Sequence, residues 1–332
     1  MIYFLYLSIL FVTYFIVDFY INFAKTKNIV AIGNNKNSHD GVIPRGAGIV
    51  FGSIYIVLII ISYVNQLLPL SYFVPIVCGS FFCIILGFID DVYDLKAKYK
   101  FFLQNLIIFG LVIYFYFPSI YENFSSLLLT YLIILTIFKV WMLNAFNFLD
   151  GTDGHLSCVS IMQGILMVVA LYLNLNFELI IPIILLSSVV SIFLLFNWPP
   201  AKVFMGDAGS MFIGINLIIF IFISLQNSLL NVYLIFIIFS YYFVDTLGTF
   251  IIRTLQKKSW TTRHKSHPYQ NFSRIFDHRK TLIITTIFHM LWLLPIVILA
   301  IYFKNFQLYF AIVALIPLLI YLIKFGSLFS SK

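Results

Sequence analysis

Two adjacent carboxylates, Asp90 and Asp91, close an apolar run that ends Gly87-Phe-Ile-Asp-Asp-Val-Tyr-Asp94. Paired acids at the end of an apolar helix repel each other and lose hydration, so a cation or a proton is expected to compensate them. Asp94 follows one helical turn later, where it either shares their face or caps the helix. A second group reads Asn144-Ala-Phe-Asn147-Phe-Leu-Asp150-Gly-Thr-Asp153-Gly-His155. Spacing by three places Asn144, Asn147 and Asp150 on one helical face, and Asp153 continues the series beyond Gly151. Amides with carboxylates form an oxygen-rich setting that suits Mg²⁺ when substrate phosphates complete its shell. A solvated loop would contain the same residue types. His155 reads as a packed or solvated histidine.

The third group is Asn197-Trp-Pro-Pro-Ala-Lys-Val-Phe204-Met-Gly206-Asp207-Ala-Gly209-Ser210, a polar stretch between two apolar runs. Pro199 and Pro200 stop the preceding helix, because proline lacks a backbone donor and disfavours helix in the residue before it. Gly206 and Gly209 flank Asp207 and let backbone approach a ligand. Taken alone, an Asp between glycines is a turn residue; its surroundings point to chemistry. The fourth group, Arg263-His264-Lys265-Ser266-His267, packs two histidines and two cations into five residues and suits a diphosphate clamp better than a metal site. Lys36, His39 and Arg45 lie near Gly46 and Gly48, a pattern open to phosphate binding or to an ordinary basic loop. Asp245 sits in an apolar run and is expected to pair with Arg253 near an interface. His278 and His289 read as structural, and Cys78, Cys83 and Cys158 as core residues without metal-ligand spacing.

The elements that must position these groups are membrane helices. A chain that is 62% hydrophobic and 19% aromatic is not an ordinary soluble domain. The expected fold is all-α and polytopic, with about eleven transmembrane helices near 1–22, 46–64, 73–89, 101–118, 124–143, 156–173, 179–196, 211–226, 228–248, 281–303 and 307–325. The first run reads as a retained anchor, since no Lys or Arg precedes it and Lys25 and Lys27 follow it. Basic residues concentrate in 25–45, 96–100 and 253–280, which places these loops in the cytoplasm. With eleven spans, 144–155 and 197–210 share that side. The expectation is one integral membrane domain over 1–332, with its active site formed by cytoplasmic loops. The net charge of +8 then reflects topology and anionic headgroups rather than a nucleic-acid partner.

Carboxylates and amides for Mg²⁺, with Lys, Arg and His for phosphate oxygens, are the parts of phosphoryl transfer. At a membrane face such a site can meet one soluble and one lipid substrate. The motifs Phe88-Ile-Asp90-Asp91 with Leu95 and Lys100, Asn144 to Gly154, and Asn197 to Ser210 together resemble the polyprenyl-phosphate N-acetylhexosamine-1-phosphate transferases. The resemblance runs in the family's order from about Asn34 to Gln270. It implies transfer of a sugar-1-phosphate from a UDP-sugar to undecaprenyl phosphate, with release of UMP, at the bacterial inner membrane. It further implies Mg²⁺, with Mn²⁺ as a substitute, on Asp207 and Asn147, and the diphosphate on Lys100. Asp90 and Asp91 fall on the lipid-phosphate side, with Asp90 or Asp150 as base or as covalent nucleophile. Phe204 and Asp153 become uridine contacts, and His264 and His267 lie near the phosphates. Lys36, Arg45, Asn144 and Arg263 complete the substrate-binding set, and a homodimer is allowed.

The departures narrow the reading. The consecutive histidines of the muramoyl-pentapeptide enzymes are absent, and Arg-His-Lys-Ser-His-Pro-Tyr-Gln is similar to the subgroup that initiates O-antigen or capsule chains. Ala31 and Gly33 replace an Asp and a Pro that often open the first loop. The muramoyl-pentapeptide reaction is the alternative within the family. A transporter is the alternative outside enzymes, although its acids would be expected at the midplane on broken, repeated helices. The Ala-Arg needed by CDP-alcohol phosphotransferases does not follow Asp150-Gly-Thr-Asp-Gly.

Overall fold

Inside a bilayer an isolated segment satisfies its own backbone only as a helix, so long apolar runs fold that way. The computed structural model describes residues 2–32, 42–122, 125–257 and 266–326. Its helices are α1 (Ile2–Thr26), α2 (Gly48–Val64), α3 (Leu70–Tyr93), α4 (Ala97–Glu122), α5 (Ser126–Phe148), α6 (His155–Leu173) and α7 (Ile180–Asn197). They continue as α8 (Gly206–Gln226), α9 (Val232–Ile238), α10 (Ser240–Leu255), α11 (Pro268–Phe288), α12 (Leu294–Tyr302) and α13 (Gln307–Phe325). The protein is an all-α polytopic membrane protein.

Each of the eleven expected runs has its helix among the described residues, but not every one of these helices is long and apolar enough to count as a span by itself. Among the described residues nine helical spans are long and apolar enough to cross a membrane, and a tenth is counted if α9 and α10, bent by 77°, form one span. The remaining run is α2, whose 17 residues rise about 26 Å, short of the ~30 Å hydrocarbon core. A second difference is a small hairpin that the apolar pattern did not announce. The strands β1 (Val30–Ile32) and β2 (Val42–Pro44) pair antiparallel, with Ala31 opposite Ile43.

The chain packs as two compact units, Met1–Asn147 with Ser188–Ile223, and Phe148–Ser187 with Ser224–Lys332. In the first unit Phe51, Tyr55, Phe193 and Phe212 form a buried aromatic cluster with ring centroids 4.8 to 5.7 Å apart. The helix α8 is almost entirely enclosed, whereas α4 is mostly exposed and bears large apolar side chains such as Phe101, Phe102 and Leu106 on its surface. Close approach to α8 depends on missing side chains: a Cβ on Gly48 or Gly87 would overlap the backbone of 207–209. Small residues are what let membrane helices approach this closely.

In the second unit α6 is buried over most of its length. The 268–302 span is irregular at two points. Asp277 has φ 65° and breaks α11, and residues His289–Leu293 form a π-helical turn before α12.

Candidate active site

In the first unit the ends of α3, α4, α5 and α8 assemble one charged cluster. Lys100, in the first turn of α4, places its Nζ between the carboxylates of Asp90, 2.9 Å away, and Asp207, in closer contact. The Asn147 side chain donates to Asp207 Oδ1 at 2.8 Å. Asp90 is further held by the Leu95 amide, which donates to its Oδ1 at 2.8 Å. The three charged side chains are 15 to 24% exposed, so the cluster is open to solvent and to a ligand.

Asp91 is used differently from its neighbour. Its Oδ1 accepts the Asp207 amide and its Oδ2 the Ala208 amide, each at 3.0 Å, and the residue is 5% exposed. A carboxylate from α3 thus caps the start of α8, where orphan amides and the helix dipole both favour negative charge. Gly206 makes this possible, because it has φ +69° and a Cβ there would collide with the Asp91 carboxylate. The geometry gives Asp91 the task of holding Asp207 in place.

Asn144 lies on the same helix as Asn147 and donates to Gln104 Oε1 at 2.8 Å. Phe204 is tied by its backbone to the first loop: its amide donates to the Pro44 carbonyl at 2.8 Å, and the Ala47 amide donates to its carbonyl at 3.2 Å. Arg45 pairs at 3.2 Å with Asp94, which sits in left-handed conformation as the C-cap of α3.

The expected single helical face over Asn144, Asn147, Asp150 and Asp153 is interrupted. The helix α5 ends at Phe148, so Asp150 and Asp153 lie in the loop before α6, and Gly154 turns that loop at φ +70°. The boundary between the two units falls at this same point.

In the second unit Asp245, Arg253 and His267 are buried. The pairing expected between Asp245 and Arg253 is not formed: eight residues along one helix amount to about 12 Å of rise. The Asp245 carboxylate instead meets His267 Nδ1 at 2.9 Å and accepts the Tyr269 amide at 3.1 Å, while Arg253 donates to Ser266 Oγ at 3.2 Å. Asp153 is 7% exposed, with His278 Nδ1 3.5 Å from its Oδ2. His155 is fully buried and stacked on Tyr269 at 4.2 Å, a packed histidine. Lys36, Arg263 and His264 lie outside the described residues.

Three contacts were not foreseen from the chain: Asp91 with the start of α8, Asp245 with His267, and His278 beside Asp153. Each acts across a separation of more than 20 residues. The only hint was that Asp245 and Asp91 are acids next to apolar sequence, where an uncompensated charge is costly.

Known proteins resemble this chain. Residues 72–225 match glycosyl transferase family 4. The chain is 30% identical to a probable undecaprenyl-phosphate N-acetylglucosaminyl 1-phosphate transferase of Bacillus subtilis over 262 residues, 76% of this chain and 72% of the relative. It is 26% identical to the undecaprenyl-phosphate alpha-N-acetylglucosaminyl 1-phosphate transferase of Thermotoga maritima over 282 residues, 85% of each. It is also 27% identical to a phospho-N-acetylmuramoyl-pentapeptide-transferase of Staphylococcus saprophyticus, over 70% of this chain and 78% of that protein. The matched segment holds Asp90, Asp91, Lys100, Asn147 and Asp207, the residues that the first unit gathers at the ends of four helices. The chain belongs to glycosyl transferase family 4, the family of the polyprenyl-phosphate N-acetylhexosamine-1-phosphate transferases.

Proposed function

We propose that the protein transfers an N-acetylhexosamine- or deoxy-aminosugar-1-phosphate from a UDP-sugar to undecaprenyl phosphate, releasing UMP and starting an O-antigen or other surface polysaccharide chain. The observation that carries this reading is Lys100 held between Asp90 and Asp207, with the Asn147 amide on the far oxygen of Asp207. Acids kept beside a lysine in a part-exposed site can exchange that contact for a bound metal and for phosphate oxygens. Relatives named as transferases acting on undecaprenyl phosphate support the acceptor.

A hard cation fits these residues. Asp207 and Asn147 bring oxygen-bearing side chains together in a site open to solvent. Among the described residues no group of three or more His, Cys, Asp or Glu side chains gathers to bind a metal, so water and substrate phosphates would supply the other ligands, as Mg²⁺ prefers. Asp207 and Asn147 would hold the ion, which when bound supplies neutralisation of the diphosphate charge.

The chain's own groups do the rest. Lys100, released from the acids, binds a diphosphate oxygen as a point charge. Asp90, held by the Leu95 amide, serves the lipid-phosphate side, and Asp91 keeps Asp207 in register at the start of α8. The sugar-bearing phosphorus of the donor passes to an oxygen of the lipid phosphate as its bond to UMP breaks, with Asp90 or Asp150 acting as base for direct attack or as covalent nucleophile. Phe204 and Asp153 serve the uridine, and His267 the phosphates. The basic residues concentrated in 25–45, 96–100 and 253–280 support the cytoplasmic face of the inner membrane as the side of the site.

UMP release by the purified protein in detergent tests this, with Mg²⁺, undecaprenyl phosphate and a panel of UDP-N-acetylsugars beside UDP-MurNAc-pentapeptide. Release with UDP-GlcNAc or a deoxy-aminosugar donor, dependent on lipid and metal, is the expected result. Release with the pentapeptide donor alone would assign the protein to peptidoglycan synthesis. Silence across the panel from well-folded protein would overturn the transferase reading.

A further inference from the structure

The second unit contains a buried acid with a defined set of partners. Asp245 lies in α10 with none of its surface exposed, and its two oxygens are taken by the residues that open α11. One oxygen meets His267 Nδ1 at 2.9 Å and the other accepts the Tyr269 amide at 3.1 Å. Tyr269 carries the connection onward. Its hydroxyl donates to the Phe148 carbonyl at 2.6 Å and accepts the Gly151 amide at 2.9 Å, so it grips the loop on both sides of Asp150. Its ring lies flat on His155, which opens α6 just after Asp153.

We infer that Asp245 is a positioning residue for the transfer reaction: it fixes the ring orientation and tautomer of His267 and, through Tyr269, holds the Asp150–Asp153 loop in register with that histidine. The inference rests on the transferase reading given above.

The physical argument is one of hydrogen-bond accounting. A carboxylate only accepts, so its contact with Nδ1 keeps a proton on that nitrogen and assigns the chemistry of the ring to Nε2. The neighbouring oxygen must also accept, because the Tyr269 amide is buried and needs a partner. Both oxygens are therefore committed as acceptors, and the side chain has one productive orientation. An amide in its place cannot accept at both contacts. Its oxygen would turn to the Tyr269 amide, and its NH₂ would face Nδ1 and force the proton onto Nε2. A wrong tautomer of this kind silences the histidine in serine-protease triads while leaving the fold intact. Losing Asp245 would cost more than an ordinary polar contact for a second reason, since the loop bearing Asp150 is held through the same carboxylate.

The experiment is a double-mutant cycle on the full-length protein, reading kcat and KM for UMP release together with melting temperature in detergent. Asp245→Asn is expected to lower kcat at least about 10-fold, the scale at which a misplaced acid-base group is felt, with donor KM changed less than about 3-fold and melting unaltered. In a His267→Ala background the same substitution is expected to cost less than about 3-fold, because its partner is already gone. A full, additive loss in that background would overturn the inference. So would a loss matched by a falling folded fraction, which would leave Asp245 a purely structural role.

A measurement independent of turnover separates this from the transferase reading. In protein labelled with ¹⁵N-histidine, the His267 signals should report a protonated Nδ1 in the wild type and move toward protonated Nε2 in Asp245→Asn. Unchanged signals would refute the tautomer argument even if UMP release is found. Should the wild type release no UMP, the transferase reading fails, and the spectra still decide the dyad.

Discussion

The first unit and the second each bring carboxylates to a basic side chain, yet they do so in opposite environments. Around Lys100 the charged groups are 15 to 24% exposed and come from helix ends. Around Asp245 the acid is fully buried and its histidine 4% exposed. A part-exposed acid, lysine and acid arrangement is held weakly enough for a ligand to rearrange it, because water screens each contact. A buried carboxylate with both oxygens committed is costly to disturb, since any lost partner leaves an unsatisfied group away from water. One region is suited to exchanging partners, the other to holding geometry.

The contrast is broken most directly at Asp207. Replacing it by Asn removes the carboxylate that would bind Mg²⁺, and turnover should fall by about 10³-fold or more, several kcal/mol of barrier, while insertion and melting stay as in the wild type. Wild-type activity in that variant would remove the metal assignment, and a collapsed protein would mean the exposed cluster is as structural as the buried one. Gly87→Ala tests instead the packing that presents the cluster. The added methyl would overlap the backbone at Asp207 and Ala208, where no side chain can move aside, so stability should drop by about 1–3 kcal/mol, as overpacked sites do. Gly110→Ala is its control, because a Cβ there meets nothing within 4 Å; melting curves of the two variants should diverge. The smallest effect is expected for Tyr269→Phe. It loses the hydroxyl shared by Phe148 and Gly151, worth about 1 kcal/mol, and should lower activity a few-fold with little change in donor KM. A loss as large as that of Asp207→Asn would place Tyr269 in the chemistry itself.

Much of the first region was legible in the chain and little of the second. Asp90, Asp91, Asn144, Asn147 and Asp207 stood out because polar residues clustered at the ends of apolar runs are conspicuous in such a hydrophobic sequence. The shared face of Asn144 and Asn147 followed from helical spacing, which is local. The same rule failed three residues later, where the helix stops at Phe148 and Asp150 enters a loop. It failed again for Asp245, for which the nearest basic residue on its own helix was the natural partner, yet the carboxylate meets a histidine 22 positions away.

By itself, then, the sequence determined the class of fold, the positions of the helical runs and the residue types available for phosphate chemistry, because hydropathy and spacing act within a few turns of chain. Only the tertiary structure decided which acid does what. It gave Asp90 to Lys100 and Asp91 to the start of α8, 116 residues away, and it joined Asp245 to His267 rather than to Arg253. Adjacent residues such as Asp90 and Asp91 leave a helix about 100° apart, so the two look alike in sequence, and the helices packed against each direction settle their partners.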